Sequence, residues 1–216
     1  MKNNSPTIAK FTLPLYLLQE IIPGSKFIGK LPNKNLFIEG CSIDSRTIEK
    51  NFFFLAIKGK NFDGHSFIKN VKDNGAILAV VDKKKIDDTL LKPIDENFFI
   101  LAVEEVIQAL SFVAAFKRGK WKGKLLTVTG SNGKTTAKEI ISNILSINFG
   151  EGSQFKTYGN QNNHIGVPLN LLRIKNNNKF AVIEMGMNNN GEISKLSSIV
   201  KPNLALITNA QREHQE

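Results

Sequence analysis

Apolar residues along this chain fall into two alternating kinds of pattern. Phe52 to Ile57, Ile77 to Val81, Phe98 to Val103, Leu125 to Thr129, Phe180 to Ile183 and Leu204 to Thr208 are short continuous runs rich in β-branched and aromatic residues. Runs of that length predict buried strands. Between them, apolar residues recur at helical spacing. Val106, Leu110, Val113 and Ala114 share one face of a helix predicted over Glu104 to Lys117. Ala137, Ile140, Ile141, Ile144 and Leu145 do the same after Lys134, with Lys138 and Glu139 on the opposite face. Further helices are expected from Phe67 to Val71 and from Pro168 through Leu169, Leu171 and Leu172. Leu13 to Ile22, though it contains Pro14, reads as an amphipathic helix, and Leu36 to Ile38 as a short strand. Strands alternating with helices predict an α/β protein.

That alternation halts at the basic run Lys117 to Lys124 (KRGKWKGK), predicted to be a solvated linker, and then restarts at Leu125. Two domains are therefore expected: a small α/β domain over residues 1–122 and a second, with a mostly parallel sheet, over residues 123–216.

The second domain opens on the stretch that carries chemistry, LLTVTGSNGKTT from Leu125 to Thr136. A buried strand here meets a glycine turn and then a helix N-terminus, where free backbone N–H groups and the helix dipole converge on one spot. Gly130, Ser131, Asn132, Gly133, Lys134, Thr135 and Thr136 are thus candidates for holding the phosphates of ATP. Lys134 supplies a point charge for the terminal phosphates, and the Thr135 hydroxyl a ligand for magnesium. Val128 stands where the longer P-loop pattern has its first glycine, so an ordinary Gly-Lys turn is the competing reading.

Other polar clusters sit at strand ends. Glu184 follows the strand Phe180 to Ile183, the position where a nucleotide-bound magnesium finds a carboxylate; a surface carboxylate is the plainer alternative. Thr157 to Asn163 is rich in amides, which suits recognition of a sugar or peptide but equally suits a turn. In the first domain, Asp44-Ser45-Arg46 and Gly59 to Gly64 are polar loops that each follow a predicted strand.

Composition narrows the reading. With 216 residues, 41% of them hydrophobic, the chain has material for a substantial core. Its only cysteine, Cys41, forms no internal disulfide and is expected to be a small buried or half-buried side chain in a reducing compartment. No run approaches the ~20 residues of a membrane span, and no targeting segment is visible, so a cytoplasmic location is expected. The net charge of +10 invites a nucleic-acid partner. The lysines are nevertheless scattered among asparagines, without the aromatic or arginine spacing of a base-reading surface, so none is expected. The same field favours a small anionic substrate.

Five segments in order, DSR with FFFLAIKGKNFDGHSFI, TGSNGKTT, GNQNNHIGVPLNLL, VIEMGMNNNGEI and ITNAQREHQE, resemble the ATP-dependent Mur ligases of peptidoglycan synthesis. Within that family the likeness is to members that join D-alanyl-D-alanine to UDP-N-acetylmuramoyl-tripeptide. The resemblance implies an acyl-phosphate mechanism, with ATP and magnesium as cofactors and a monomeric protein. It further implies that Lys134, Glu184 and His214 serve catalysis, with Thr135, Glu184 and His214 at magnesium. Ser45 and the backbone of Lys60, Asn61 and Phe62 would line a uridine site, while Asn162, Asn163 and Asn188 would face sugar and peptide. Gln215 follows His214 where the family often has leucine. Members of the family continue past the position of Glu216 into a domain that closes over ATP, so these residues alone are expected to bind substrates without joining them.

Overall fold

In the computed structural model, which describes residues 7–211, the chain forms two compact units that divide between Val113 and Ala114. The first contains β1 (Ile8–Pro14), α1 (Leu17–Ile21), β2 (Lys26–Ile28), β3 (Phe37–Ser42), β4 (Phe52–Leu55), α2 (Ile68–Asp73), β5 (Leu78–Asp82), α3 (Asp88–Leu91), β6 (Phe99–Val103) and most of α4 (Val106–Lys120). Its sheet has six strands in the order β1-β3-β4-β5-β6-β2. The inner pairs β3–β4, β4–β5 and β5–β6 are parallel, and the outer strands β1 and β2 run antiparallel to their neighbours. Phe52 to Leu55 and Leu78 to Val81 are buried throughout, the signature of parallel strands covered on both faces. Cys41 lies fully buried on β3, as its composition suggested.

The second unit contains β7 (Lys124–Thr129), α5 (Lys134–Phe149), β8 (Gln154–Lys156), α6 (Gly166–Arg173), β9 (Phe180–Glu184), α7 (Glu192–Val200) and β10 (Leu204–Ile207). Its four strands lie in the order β10-β7-β9-β8 and all pairs are parallel. Register sets Val128 beside Glu184 and Thr129 beside Ile207. The tips of three neighbouring strands therefore end at one edge, where open α/β sheets bind ligands.

Three sequence expectations need correction. The amphipathic helix over Leu13 to Ile22 shrinks to the five residues of α1, and Ile8–Pro14 is a strand paired with β3. An edge strand tolerates Pro14, which lacks an N–H, and buried Leu15, Leu18 and Ile22 then anchor the short helix. The run Lys117 to Lys124 is no solvated linker. Its first part completes α4, and Trp121 is buried with Nε1 donating to the Asn178 carbonyl at 3.0 Å. A Cβ on Gly123 would lie 2.1 Å from the Trp121 ring, so this glycine admits a close approach rather than flexibility.

The third correction concerns α5. The helix is rotated so that Ile140 and Ile144 are 55% and 53% exposed, while Lys138, expected on the solvent face, is 1% exposed. Lys138 turns inward because the strand tips that α5 covers offer it carbonyl and carboxylate oxygens. Among the described residues no helix is long and apolar enough to cross a membrane.

Candidate nucleotide and metal site

The turn between β7 and α5 and the first turn of α5 hold every candidate from Gly130 to Thr136. Gly130 adopts φ +130°, and a Cβ there would stand 2.2 Å from Thr208 Oγ1 and 2.8 Å from the Asn209 carbonyl. Only glycine lets the turn approach the segment after β10 this closely. That segment fastens the turn from outside. Asn209 accepts from the amides of Ser131 at 3.1 Å and Asn132 at 3.0 Å, and Thr208 Oγ1 donates to the Asn132 carbonyl at 2.6 Å. Gln211 accepts from the Asn132 side chain at 3.0 Å and exchanges hydrogen bonds with Ser131. The amides of Ser131 and Asn132 thus shape the turn.

Further along, Ala137 N–H closes the first helical hydrogen bond, to Gly133 at 2.9 Å. The amides of Lys134, Thr135 and Thr136 precede it and have no acceptor within the helix, and no side chain caps the N-terminus. They stand at the N-terminus of a 16-residue helix, where free N–H groups and the helix dipole suit an anion. Lys134 Nζ arches back over the turn, donating to the carbonyls of Gly130 and Ser131 at 2.7 Å each.

Glu184, at the tip of β9, is 1% exposed. Its Oε2 accepts from Thr135 Oγ1 at 3.0 Å and its Oε1 from Asn162 Nδ2 at 2.9 Å. The structure therefore pairs the two described residues picked out as magnesium ligands and rejects the surface-carboxylate alternative. Their spacing fits: adjacent oxygens in an octahedron of about 2.1 Å magnesium–oxygen bonds lie about 3 Å apart. Among the described residues no group of three or more His, Cys, Asp or Glu side chains is gathered for a metal. One carboxylate and one hydroxyl, completed by phosphate and water oxygens, is nonetheless how magnesium is commonly held. His214, the third residue assigned to metal, lies outside the described residues.

Beside the turn is a cleft of about 560 Å³ bordered by Gly130, Lys134, Asn162, Asn163, Gly186 and Asn188. The three asparagines face one space but do different work. Asn162 is held by Glu184; Asn163 Oδ1 accepts from the amides of Ile165 and Gly166 at 3.1 and 2.8 Å; Asn188 N–H donates to Glu192 Oε2 at 2.7 Å. That bond is the main cause holding the Glu192 carboxyl below its ordinary range.

Sequence reasoning missed Lys138 and the Thr208-Asn209-Gln211 segment. Lys138 Nζ donates to the carbonyls of Gly159 and Thr157 at 3.2 and 3.4 Å, and lies 3.3 Å from Glu139 and 3.5 Å from Glu184. Glu139 also meets Lys156, whose ammonium is the largest influence holding that carboxyl below its usual range. The available signal was that a buried carboxylate needs a counter-ion.

In the first unit, Ser45 follows β3 and the Lys60-Asn61-Phe62 loop follows β4, at the C-terminal ends of adjacent parallel strands. Phe62 is 71% exposed, in a tight loop where Gly59 N–H donates to its carbonyl at 2.9 Å and the backbones of Lys58 and Asp63 form an isolated antiparallel bridge. His65 anchors the loop base: Nε2 accepts from the Asp82 amide at 3.0 Å, so Nδ1 carries the proton given to Asp63 at 2.5 Å. Lys85 reaches the other oxygen of Asp63 at 3.0 Å.

A parallel α/β sheet with a glycine turn leading into a helix N-terminus, and a buried carboxylate at the tip of the adjacent strand, is an arrangement suited to binding a nucleotide. The chain belongs to the Mur ligase family: residues 37–118 match the family's catalytic domain and residues 128–216 the Mur ligase middle domain. It is 35% identical over 197 residues to UDP-N-acetylmuramoyl-tripeptide--D-alanyl-D-alanine ligase of Borreliella burgdorferi, covering 88% of this chain and 42% of that protein. The Bacillus subtilis enzyme of the same name is 36% identical, covering 83% of this chain and 37% of that one. Among solved structures, a UDP-N-acetylmuramoylalanyl-D-glutamyl-2,6-diaminopimelate--D-alanyl-D-alanyl ligase from Acinetobacter baumannii superposes with TM-score 0.80 at 34% identity, over 98% of this chain and 44% of that one. MurF ligase from Thermotoga maritima in complex with ADP gives 0.67 at 34% identity, over 78% of this chain and 37% of that one. The chain thus spans about two fifths of the length of the relatives it matches.

Proposed function

We propose that the chain is part of an ATP-dependent ligase that joins D-alanyl-D-alanine to UDP-N-acetylmuramoyl-tripeptide in the cytoplasm, building a peptidoglycan precursor. The observation that carries the reading is the Thr135–Glu184 pair beside the free amides of α5. The relatives' shared activity and the ADP held by the Thermotoga maritima protein support it.

Residues 123–216 act as the ATP unit. The amides of Lys134 to Thr136 and the Lys134 ammonium bind phosphate oxygens, and Thr135 and Glu184 hold magnesium, which when bound neutralises phosphate charge. His214 assists at a second metal. The chain's task is mainly electrostatic: it fixes positive groups around the phosphoryl group passed to the substrate carboxylate, and Asn162, Asn163 and Asn188 orient that substrate. That transfer releases ADP, and the amine of D-alanyl-D-alanine then attacks the acyl phosphate carbonyl, loses a proton and expels inorganic phosphate as the amide bond forms. Residues 1–122 hold the UDP end through Ser45 and the Lys60-Asn61-Phe62 backbone. The protein works as a monomer.

Equilibrium titration of the purified protein tests this. UDP-N-acetylmuramoyl-tripeptide and ATP should each bind saturably, with uridine diphosphate competing only against the former. Failure of either to bind, or competition by uridine diphosphate against both, would overturn the assignment.

A further inference from the structure

Lys138 is the least expected residue of the second unit. Lysine ordinarily lets its ammonium reach water along a flexible stem, and burying that charge is expensive. Here the side chain is 2% exposed and ends among the carbonyls of Thr157 and Gly159, the half-exposed carboxylate of Glu139 and the carboxylate of Glu184, of which only Glu184 is itself buried, at 2% exposed. Thr157 ties the same parts together, since its Oγ1 accepts from the Glu184 amide at 2.8 Å while its own N–H donates to the Val182 carbonyl at 3.0 Å. The segment after β8, the tip of β9 and the first turns of α5 therefore meet at one ammonium. The carboxylate it faces is the one that joins Thr135 on one oxygen and Asn162 on the other.

We propose that Lys138 is a positioning residue of the nucleotide site. As a resident cation it holds the Glu184 carboxylate in register with Thr135 and pins the carbonyls at the start of the loop that runs on to Asn162. The metal ligand and the substrate-facing amides are thereby set by one side chain. Lys134 meets the anion, and Lys138 builds the place where the metal sits. This inference rests on the proposed nucleotide reading of the turn, and the experiment separates the two.

Binding of a non-hydrolysable ATP analogue is measured with magnesium and with EDTA in the wild type, Lys138→Met, Glu184→Gln and the double variant, alongside thermal melting. Methionine keeps the stem length and removes the charge. The expected result for Lys138→Met is EDTA affinity within about twofold of wild type, because the turn amides and Lys134 are untouched, and a magnesium-dependent gain reduced about 10- to 100-fold, the usual loss when the partner of a metal ligand is removed. In the Glu184→Gln background the same change should add nothing, and the double variant should melt higher than Lys138→Met because no buried carboxylate is left uncompensated. An unchanged magnesium gain, an equal fall with and without magnesium, or full additivity with Glu184→Gln would overturn the inference while leaving the nucleotide reading standing. Loss of folding in both Lys138→Met and the double variant would give Lys138 a purely structural role and overturn it too. A wild-type protein that binds no nucleotide in either condition would instead sink the nucleotide reading itself.

Discussion

Replacing Gly130 by alanine should damage the phosphate turn through a segment far away in sequence. The new Cβ would sit 2.2 Å from Thr208 Oγ1 and 2.8 Å from the Asn209 carbonyl, at a φ of +130° that side chains avoid. Holding a non-glycine residue in such a region costs about 1–3 kcal/mol. Relief requires Thr208 and Asn209 to retreat, which breaks the 2.6 Å bond from Thr208 to the Asn132 carbonyl and the 3.1 Å bond from the Ser131 amide to Asn209. Each such bond contributes about 0.5–1.5 kcal/mol, so with the backbone strain the total destabilisation should be about 2–6 kcal/mol. For a chain of this size that lowers the melting temperature by roughly 4–24 °C. The assay is thermal unfolding with and without magnesium and an ATP analogue: the apo midpoint should fall and most of the ligand-induced rise should vanish, because the turn no longer presents its amides together. A Gly130→Ala protein that melts and responds to nucleotide like the wild type would refute the fastening of the turn by residues 208–211.

Other perturbations separate the parts of the account. Lys134→Ala should weaken ATP binding by about tenfold or more, since charge-assisted contacts are the strong ones, while UDP-N-acetylmuramoyl-tripeptide still binds within about twofold; near-normal nucleotide affinity would remove Lys134 from the site. In Asp63, burial pushes the carboxyl pKa up, but the His65 ring and amide and the Lys85 ammonium outweigh it and hold the value far below the usual carboxylate range. A depressed folded value means a stabilising contribution that is full above the unfolded pKa of about 3.9 and is lost as pH falls below it. Asp63→Asn should therefore be less stable than wild type at pH 7, with the gap narrowing below about pH 4; a gap that widens in acid would contradict the pairing.

Much of the architecture was legible because buried parallel strands leave continuous apolar runs, as Phe52 to Leu55 and Leu78 to Val81 do. The strand–turn–helix at Leu125 to Thr136 was legible because it is local: a strand, a glycine turn, a lysine and a helix lie consecutively. What escaped depends on contacts between distant residues. Ile8–Pro14 became a strand through pairing with β3, and nothing in its own pattern outweighs the leucines that follow. The orientation of α5 could not be read from its isoleucines, because Lys138 finds Thr157, Gly159 and Glu184 from other elements, and only their convergence makes a buried ammonium tolerable. Trp121 likewise looked like part of a basic linker until the Asn178 carbonyl came within 3.0 Å of its indole. The grip of Asn209 on the turn depends on β10 lying beside β7, a neighbour relation set by sheet order rather than by sequence distance.

The central claim is that Thr135 and Glu184 form a magnesium-dependent nucleotide site. It is tested most directly by titrating a non-hydrolysable ATP analogue into the wild type and Glu184→Gln, each with magnesium and with EDTA. The account predicts a clear gain in wild-type affinity on adding magnesium, and loss of most of that gain in Glu184→Gln at unchanged EDTA affinity. Equal affinities in all four titrations, or no binding by the wild type, would contradict it.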